Sequence, residues 1–170
     1  LYHAALAGDL ERPLGVLNLG GVGNVTFLGV DGAISAFDTG PGCALIDDWV
    51  REAIGRPMDE GGRLARGGTL DQDVLLALLH NPYFAKTPPK SLDRDDFADA
   101  IQSVSGLSAE DGAATLSAFS VAAIVHGQEH FPEPAKRWLV CGGGRLNGTL
   151  MELMTRSLGT PVDPIEAVDL

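Results

Sequence analysis

The sequence predicts an α/β domain built on a mixed sheet, with a three-stranded antiparallel meander first and helices after it. Three observations carry that expectation. Short apolar runs at 14–18 (LGVLN), 24–30 (NVTFLGV) and 33–37 (AISAF) are broken by the glycine-rich LGGVG and by Asp31-Gly32, which is how strands around tight turns read. Apolar residues then recur at helical spacing, as in Leu45, Ile46, Trp49, Val50, Ala53 and Ile54. Later, the apolar RWLVC meets GGG and a second amphipathic run, a strand, glycine turn and helix in succession.

Each further element follows from local chemistry. Gly55 ends the first helix, and a second is predicted from Asp71 to His80, where Val74, Leu75, Leu78 and Leu79 form one apolar face. Pro82, Pro88 and Pro89 make NPYFAKTPPKS a loop, because proline propagates neither helix nor central strand. Ser108 followed by Asp111 resembles a capping box with the shorter acid, opening a long helix with Leu116, Phe119, Ala123 and Ile124 inward. A last helix is expected from about Asn147 to Leu158. The opening residues read as the tail of a helix ending near Gly8, so the chain is expected to be a fragment.

Composition bounds the partners. With 45% hydrophobic and 21% charged residues the 170-residue chain can bury a core as one domain. A formal net charge of −11 repels polyanions, which argues against nucleic acid. Cys43 and Cys141 are in no CxxC spacing, and the four histidines are scattered, so neither a disulfide framework nor a zinc site is expected. No apolar run reaches eighteen residues and the start lacks signal-peptide character, so a membrane is not expected.

An acidic chain that binds an anion must meet it with backbone N–H groups, helix N-termini or a metal, so the glycine loops are the candidates. NLGGVGN, residues 18–24, is one, though hairpin glycines commonly serve positive φ alone. FDTGPGC, residues 37–43, places Asp38 after an apolar strand and before a helix. There it can act as a base or hold a metal, or merely cap the turn. CGGGRLN, residues 141–147, matches neither GxGxxG nor GxxxxGK[ST], and a glycine-rich adenosine contact fits it better. Lys90, Ser91 and Arg94 can supply charge to a sugar or phosphate, or be simply solvated. Asp47 and Asp48 need no function in the first turn of a helix, where the dipole favours acids.

In this order NLGGVGN, FDTGPG, DDW, NPYF, PPKS, DGAATL and VCGGGRLN resemble the anhydro-N-acetylmuramic acid kinase family over nearly the whole chain. The resemblance implies an actin-like (ribonuclease H-like) ATPase domain, here the C-terminal half, with ATP and Mg2+ as cofactors. It implies Asp38 as catalytic base, activating the water that opens a 1,6-anhydro sugar while its 6-oxygen takes the γ-phosphoryl group. Asn18, Gly20, Gly21, Asn24, Thr39 and Gly40 become nucleotide contacts on the phosphate side, and Gly142, Gly143, Gly144 and Asn147 on the adenosine side. Lys90, Ser91 and Arg94 fall on the sugar side. A small amino-sugar substrate, N-acetylmuramic acid 6-phosphate as product, a role in cell-wall recycling, a cytoplasmic location and a homodimer are implied as well.

The chain departs from the family pattern at three places. Cys43 stands where the family has Asn, and Leu92-Asp93 replace Thr-Gly in the family's STGR. The family's first phosphate hairpin and closing helix are not in the sequence, and Glu166 only echoes a family substrate contact, so that role is not transferred. A non-catalytic actin-like binding module, or another actin-like sugar or acetate kinase, are the competing readings.

Overall fold

One mixed sheet of five strands, in the order β3-β2-β1-β4-β5, organises the computed structural model, which describes residues 10–168. The helix tail expected to end near Gly8 lies outside the described residues. Strands β1 (Leu14–Leu19), β2 (Val22–Leu28) and β3 (Ile34–Pro41) form the antiparallel meander, while β4 (Arg137–Cys141) runs parallel to β1, and β5 (Val162–Pro164) parallel to β4.

Two boundaries differ from expectation. The first turn needs only Gly20 and Gly21, so β2 begins at Val22 rather than at 24. Strand β3 continues past Phe37 to Pro41, which puts Asp38 inside a strand rather than in the loop expected at 38–42. Strand β5 is too short to carry a periodic signal; pairing with β4 orders its three residues, starting from Trp138 N–H donating to Pro161 O at 2.8 Å.

The helices are α1 (Ala44–Ile54), α2 (Arg63–Gly67), α3 (Gln72–Leu79), α4 (Ala100–Val104), α5 (Ala109–Gln128) and α6 (Gly148–Leu158). Helix α1 stops at Gly55, whose φ of 69° is the left-handed cap that glycine adopts without steric cost. Asp71 caps α3 by accepting from Val74 N–H at 3.0 Å. Ser108 likewise accepts from Asp111 N–H at 3.0 Å, but the Asp111 carboxylate does not close the box; it accepts from Thr69 N–H at 2.7 Å and ties a distant loop to the helix. Helices α2 and α4 are five residues each, too short for a periodic signal.

Alternation along the strands sends Leu17, Leu19, Val25, Phe37, Trp138 and Val140 to the helical layer, where α5 is the central member. Leu14, Val16, Leu28 and Leu139 form the opposite face with Leu10, Ile165 and Val168. Helix α5 approaches closely because its face is small: a Cβ on Gly112 would lie 2.5 Å from the Trp49 ring, and one on Gly127 would lie 2.9 Å from Thr39. Gly112→Ala is therefore expected to lower stability by about 1–3 kcal/mol in urea unfolding, overpacking outweighing the better helix propensity. Gly106→Ala, with nothing within 4 Å, should leave the midpoint unchanged.

Candidate functional site

The sheet register builds one polar row. Asp38 on β3 pairs with Asn24 on β2, Asn24 with Asn18 on β1, and Asn18 with Cys141 on β4. Residues directly paired share a face, so four polar side chains line one end of the face that also carries Leu14, Val16, Leu28 and Leu139. The row lies at the C-terminal ends of the parallel pair β1 and β4, the edge of an open sheet where ligands bind. Asn18 is exposed within a strand whose other residues are buried.

Asp38 is held from several sides. Its Oδ1 accepts from Asn24 Nδ2 and its Oδ2 from Leu92 N–H, both at 2.8 Å. Its N–H donates to Lys90 O at 3.1 Å, and its carbonyl accepts from Tyr83 Oη at 2.6 Å. Burial, and then the nearby Asp38 charge, push the Tyr83 hydroxyl up to about 12, so it stays a donor at neutral pH. A bulge at Gly23/Asn24 re-aims β3 beside this residue. The 82–94 segment thus straps the edge of β3, and the carboxylate keeps lone pairs for a further proton or donor.

The two glycine turns stand side by side at the end of the row. Gly142 has φ 80°, and a Cβ there would lie 2.5 Å from Asn18 Oδ1 and 2.7 Å from Leu19 O. A Cβ on Gly144 would collide with Leu19 at 2.5 Å, whereas one on Gly143 meets nothing within 4 Å. Arg145 braces this turn by donating to Gly142 O at 2.8 Å and to Glu166 at 2.6 Å, a role for both residues that the sequence did not reveal. Beside it opens a cavity of about 600 Å³, lined by Gly143, Gly144, Leu146 and Asn147 from this turn, Cys43, Ile46 and Asp47 from the α1 side, and Met58 to Gly61. Burial, and then Asp47, raise the Cys43 thiol to about 12, so it is a neutral wall. Asn147 caps α6 by accepting from Leu150 N–H at 3.0 Å.

Three N–H groups at the entry to α1 already hold carbonyl partners. Cys43 N–H donates to Gly20 O at 2.8 Å, and Gly42 and Ala44 N–H donate to Gly21 O at 2.9 and 3.3 Å. Because the Gly20–Gly21 peptide is trans, its carbonyl faces the helix and the Gly21 N–H faces the other way. The hairpin passes the helix's positive end outward through that peptide. No sequence motif announces this weld of turn to helix.

Thr39 and Gly40, expected as nucleotide contacts, are placed elsewhere. Thr39 is fully buried, donates to Gly23 O at 3.1 Å and packs on Gly127. A Cβ on Gly40 would lie 2.6 Å from Ala123 Cβ, so its lack of a side chain serves the approach of α5. Both stabilise the bulge that carries Asp38, because the strand runs on through them instead of opening into a loop.

Lys90, Ser91 and Arg94 do not converge. The Lys90 ammonium lies 4.9 Å from the Tyr83 ring centroid and 5.8 Å from that of Phe37, and burial lowers its pKa, with Lys86 adding to the effect. Phe37 faces the helical layer, so this charge sits across β3 from the Asp38 side chain. Ser91 is exposed, and Arg94 reaches back to the Gly20–Gly21 turn. Among the described residues, no three His, Cys, Asp or Glu side chains group to hold a metal ion, and no helix is long and apolar enough to cross a membrane.

Comparison with known proteins bears on this site. The sequence profile of the anhydro-N-acetylmuramic acid kinase family matches residues 1–169. The anhydro-N-acetylmuramic acid kinase of Paramagnetospirillum magneticum is 56% identical over 169 residues, covering 99% of this chain and 48% of that protein. Its counterpart in Rhodospirillum rubrum is 59% identical, covering 98% of this chain and 44% of that protein. The Rhizorhabdus wittichii protein of the same name is 49% identical, with 99% and 46% covered. The chain thus spans about half the length of these relatives. Among solved structures, the activator of the 2-hydroxyisocaproyl-CoA dehydratase from Clostridium difficile with bound ADPNP superposes with a TM-score of 0.60 at 12% identity, covering 94% of this chain and 56% of that one. That likeness speaks to the fold alone, which is the expected actin-like α/β class.

Proposed function

The chain belongs to the anhydro-N-acetylmuramic acid kinase family, and from that premise we propose that the full protein opens 1,6-anhydro-N-acetylmuramic acid and phosphorylates its 6-oxygen at the expense of ATP. The observation that carries the reading is the row of Asp38, Asn24, Asn18 and Cys141, ending beside two bare-backbone turns. This segment would be the C-terminal domain of the kinase and would supply one wall of its cleft.

In this reading the cavity beside Gly143 and Gly144 takes the adenosine, with Ile46, Met58 and Leu146 as apolar wall. The triphosphate runs toward Asn18 and the Gly20–Gly21 turn, whose outward N–H suits an anion. The ADPNP in the dehydratase activator supports the ligand class. Asp38 takes one proton from a water whose hydroxyl adds to the anomeric carbon. The bond from that carbon to O6 breaks with its electron pair on O6, which bonds the γ-phosphorus as the bridge to ADP breaks. Asn24 and Leu92 N–H hold the carboxylate in place for this.

Magnesium commonly takes only one or two carboxylates plus phosphate oxygens and water. A row offering Asp38 and two carboxamides fits such an ion, carried on the nucleotide and neutralising phosphate charge. The family resemblance also supports a cytoplasmic homodimer, with the product feeding cell-wall recycling.

The test is a panel of acceptors given to the full-length protein with ATP. ADP release confined to the anhydro amino sugar is the expected result, and equal turnover with plain hexoses or acetate would overturn the acceptor. Residues 1–170 alone are expected to show no turnover, since they span about half of the relatives. One observation favours a second reading, a non-catalytic module: both Asp38 oxygens already hold structural donors. Substitution of Asp38 separates the two.

A further inference from the structure

A cation, Arg94, lies against the Gly20–Gly21 turn. A Cβ on Gly21 would sit 3.9 Å from both Cγ and Cδ of Arg94, so the arginine stem lies against the turn and its guanidinium begins one bond farther on. The head group is anchored: its Nη2 lies 3.0 and 3.1 Å from the two oxygens of Asp48, and its Nη1 lies 3.7 Å from Asp95 Oδ1. Asp48 also binds Arg51 at 2.6 Å, so one carboxylate is shared between two guanidinium groups and keeps a partner if Arg94 leaves. Asp48, an acid on α1 with no function expected from sequence, is only 28% exposed at its side chain, whereas Arg94 is 55% exposed.

We propose that Arg94 meets the transferring phosphoryl group at the Gly20–Gly21 turn, with Asp48 as its positioning residue. The inference rests on the kinase reading and deepens it, moving Arg94 from the sugar to the phosphate. The geometry supports this because the arginine stem lies against Gly21, whose N–H points away from α1, while the head group itself is held on α1 by Asp48. A planar guanidinium already paired with one carboxylate is shaped for bidentate contact with a phosphoryl group, and its charge matters most where charge moves in the transition state. The remaining charges facing it are Asp47, Asp48 and Asp95, so without an anion the arginine stays parked on acid.

The experiment compares full-length wild type with Arg94→Ala, Arg94→Lys and Asp48→Asn, reading kcat, sugar KM, and the affinities for ADPNP and ADP separately. Arg94→Ala is expected to lower kcat about 100-fold or more while sugar KM stays within about threefold. It should also erase any preference for ADPNP over ADP, and added guanidinium should restore part of the rate. Arg94→Lys should recover only part of the loss, and Asp48→Asn should lower kcat about tenfold with ADP affinity kept. A raised sugar KM with an unchanged ADPNP-to-ADP ratio would overturn the proposal, as would unchanged parameters or a loss explained by a fallen Tm without guanidinium rescue. Were wild type to lack sugar-dependent turnover, the kinase reading would fail, and the ADPNP-to-ADP ratio in wild type against Arg94→Ala would still decide the role of Arg94.

Discussion

Asp38→Asn in the full-length protein is expected to lower turnover by several orders of magnitude while nucleotide affinity stays within a few-fold. An amide cannot take a proton from water, so a base lost in this way appears in kcat and not in ground-state binding. The substitution also has a structural side. The carboxylate accepts from Asn24 Nδ2 and from Leu92 N–H, and an amide can accept on one side only, so one of those donors would face an NH2 group. A fall in stability of about 1–3 kcal/mol is expected from that mismatch. Calorimetry should therefore accompany the kinetics. Turnover equal to wild type would mean that Asp38 is only the clamp of the 82–94 strap, and the non-catalytic reading would stand.

Trp138→Ala is expected to be the most destabilising single truncation, at about 3–5 kcal/mol. Trp138 is fully buried on β4, stacks on Phe131 at a centroid distance of 5.6 Å, and lies where a Cβ on Gly15 would come within 2.8 Å of its ring. Gly15, against the ring, has no side chain to move into the space. Trp138→Phe should lose much less. It removes an indole N–H that is buried without a hydrogen-bond partner, and losing an unsatisfied donor offsets part of the lost volume. Urea midpoints of the two variants check this: a Phe variant as unstable as the Ala variant would contradict it. Because β4 leads straight into the glycine turn at 142–144, the Ala variant should also weaken nucleotide binding.

The helical layer was legible in the sequence where one helix face is apolar and its ends carry caps. Asp71, Ser108 and Asn147 each cap the helix that the pattern predicts, since a cap is a bond between residues three apart. The polar row was not legible. Asn18, Asn24, Asp38 and Cys141 are spread over more than a hundred residues, and only strand register makes them neighbours. Thr39 shows the converse: adjacent to Asp38 in sequence, it faces the opposite way because a strand alternates its side chains.

What the sequence by itself determined is the class of the domain, the order of its main elements, the candidate glycine turns and, through seven short motifs, the family. Those properties live in local periodicity, in turn chemistry and in residue identity, all of which survive in a string. Only the tertiary structure decided which glycines face open space and which merely let helices approach. It likewise tied the N–H groups of Gly42, Cys43 and Ala44, at the entry to α1, to the carbonyls of Gly20 and Gly21, and carried Arg94 away from Lys90 to the hairpin. Those outcomes depend on contacts between residues far apart in the chain, and such contacts are set by packing the sheet against α5, which no local pattern encodes.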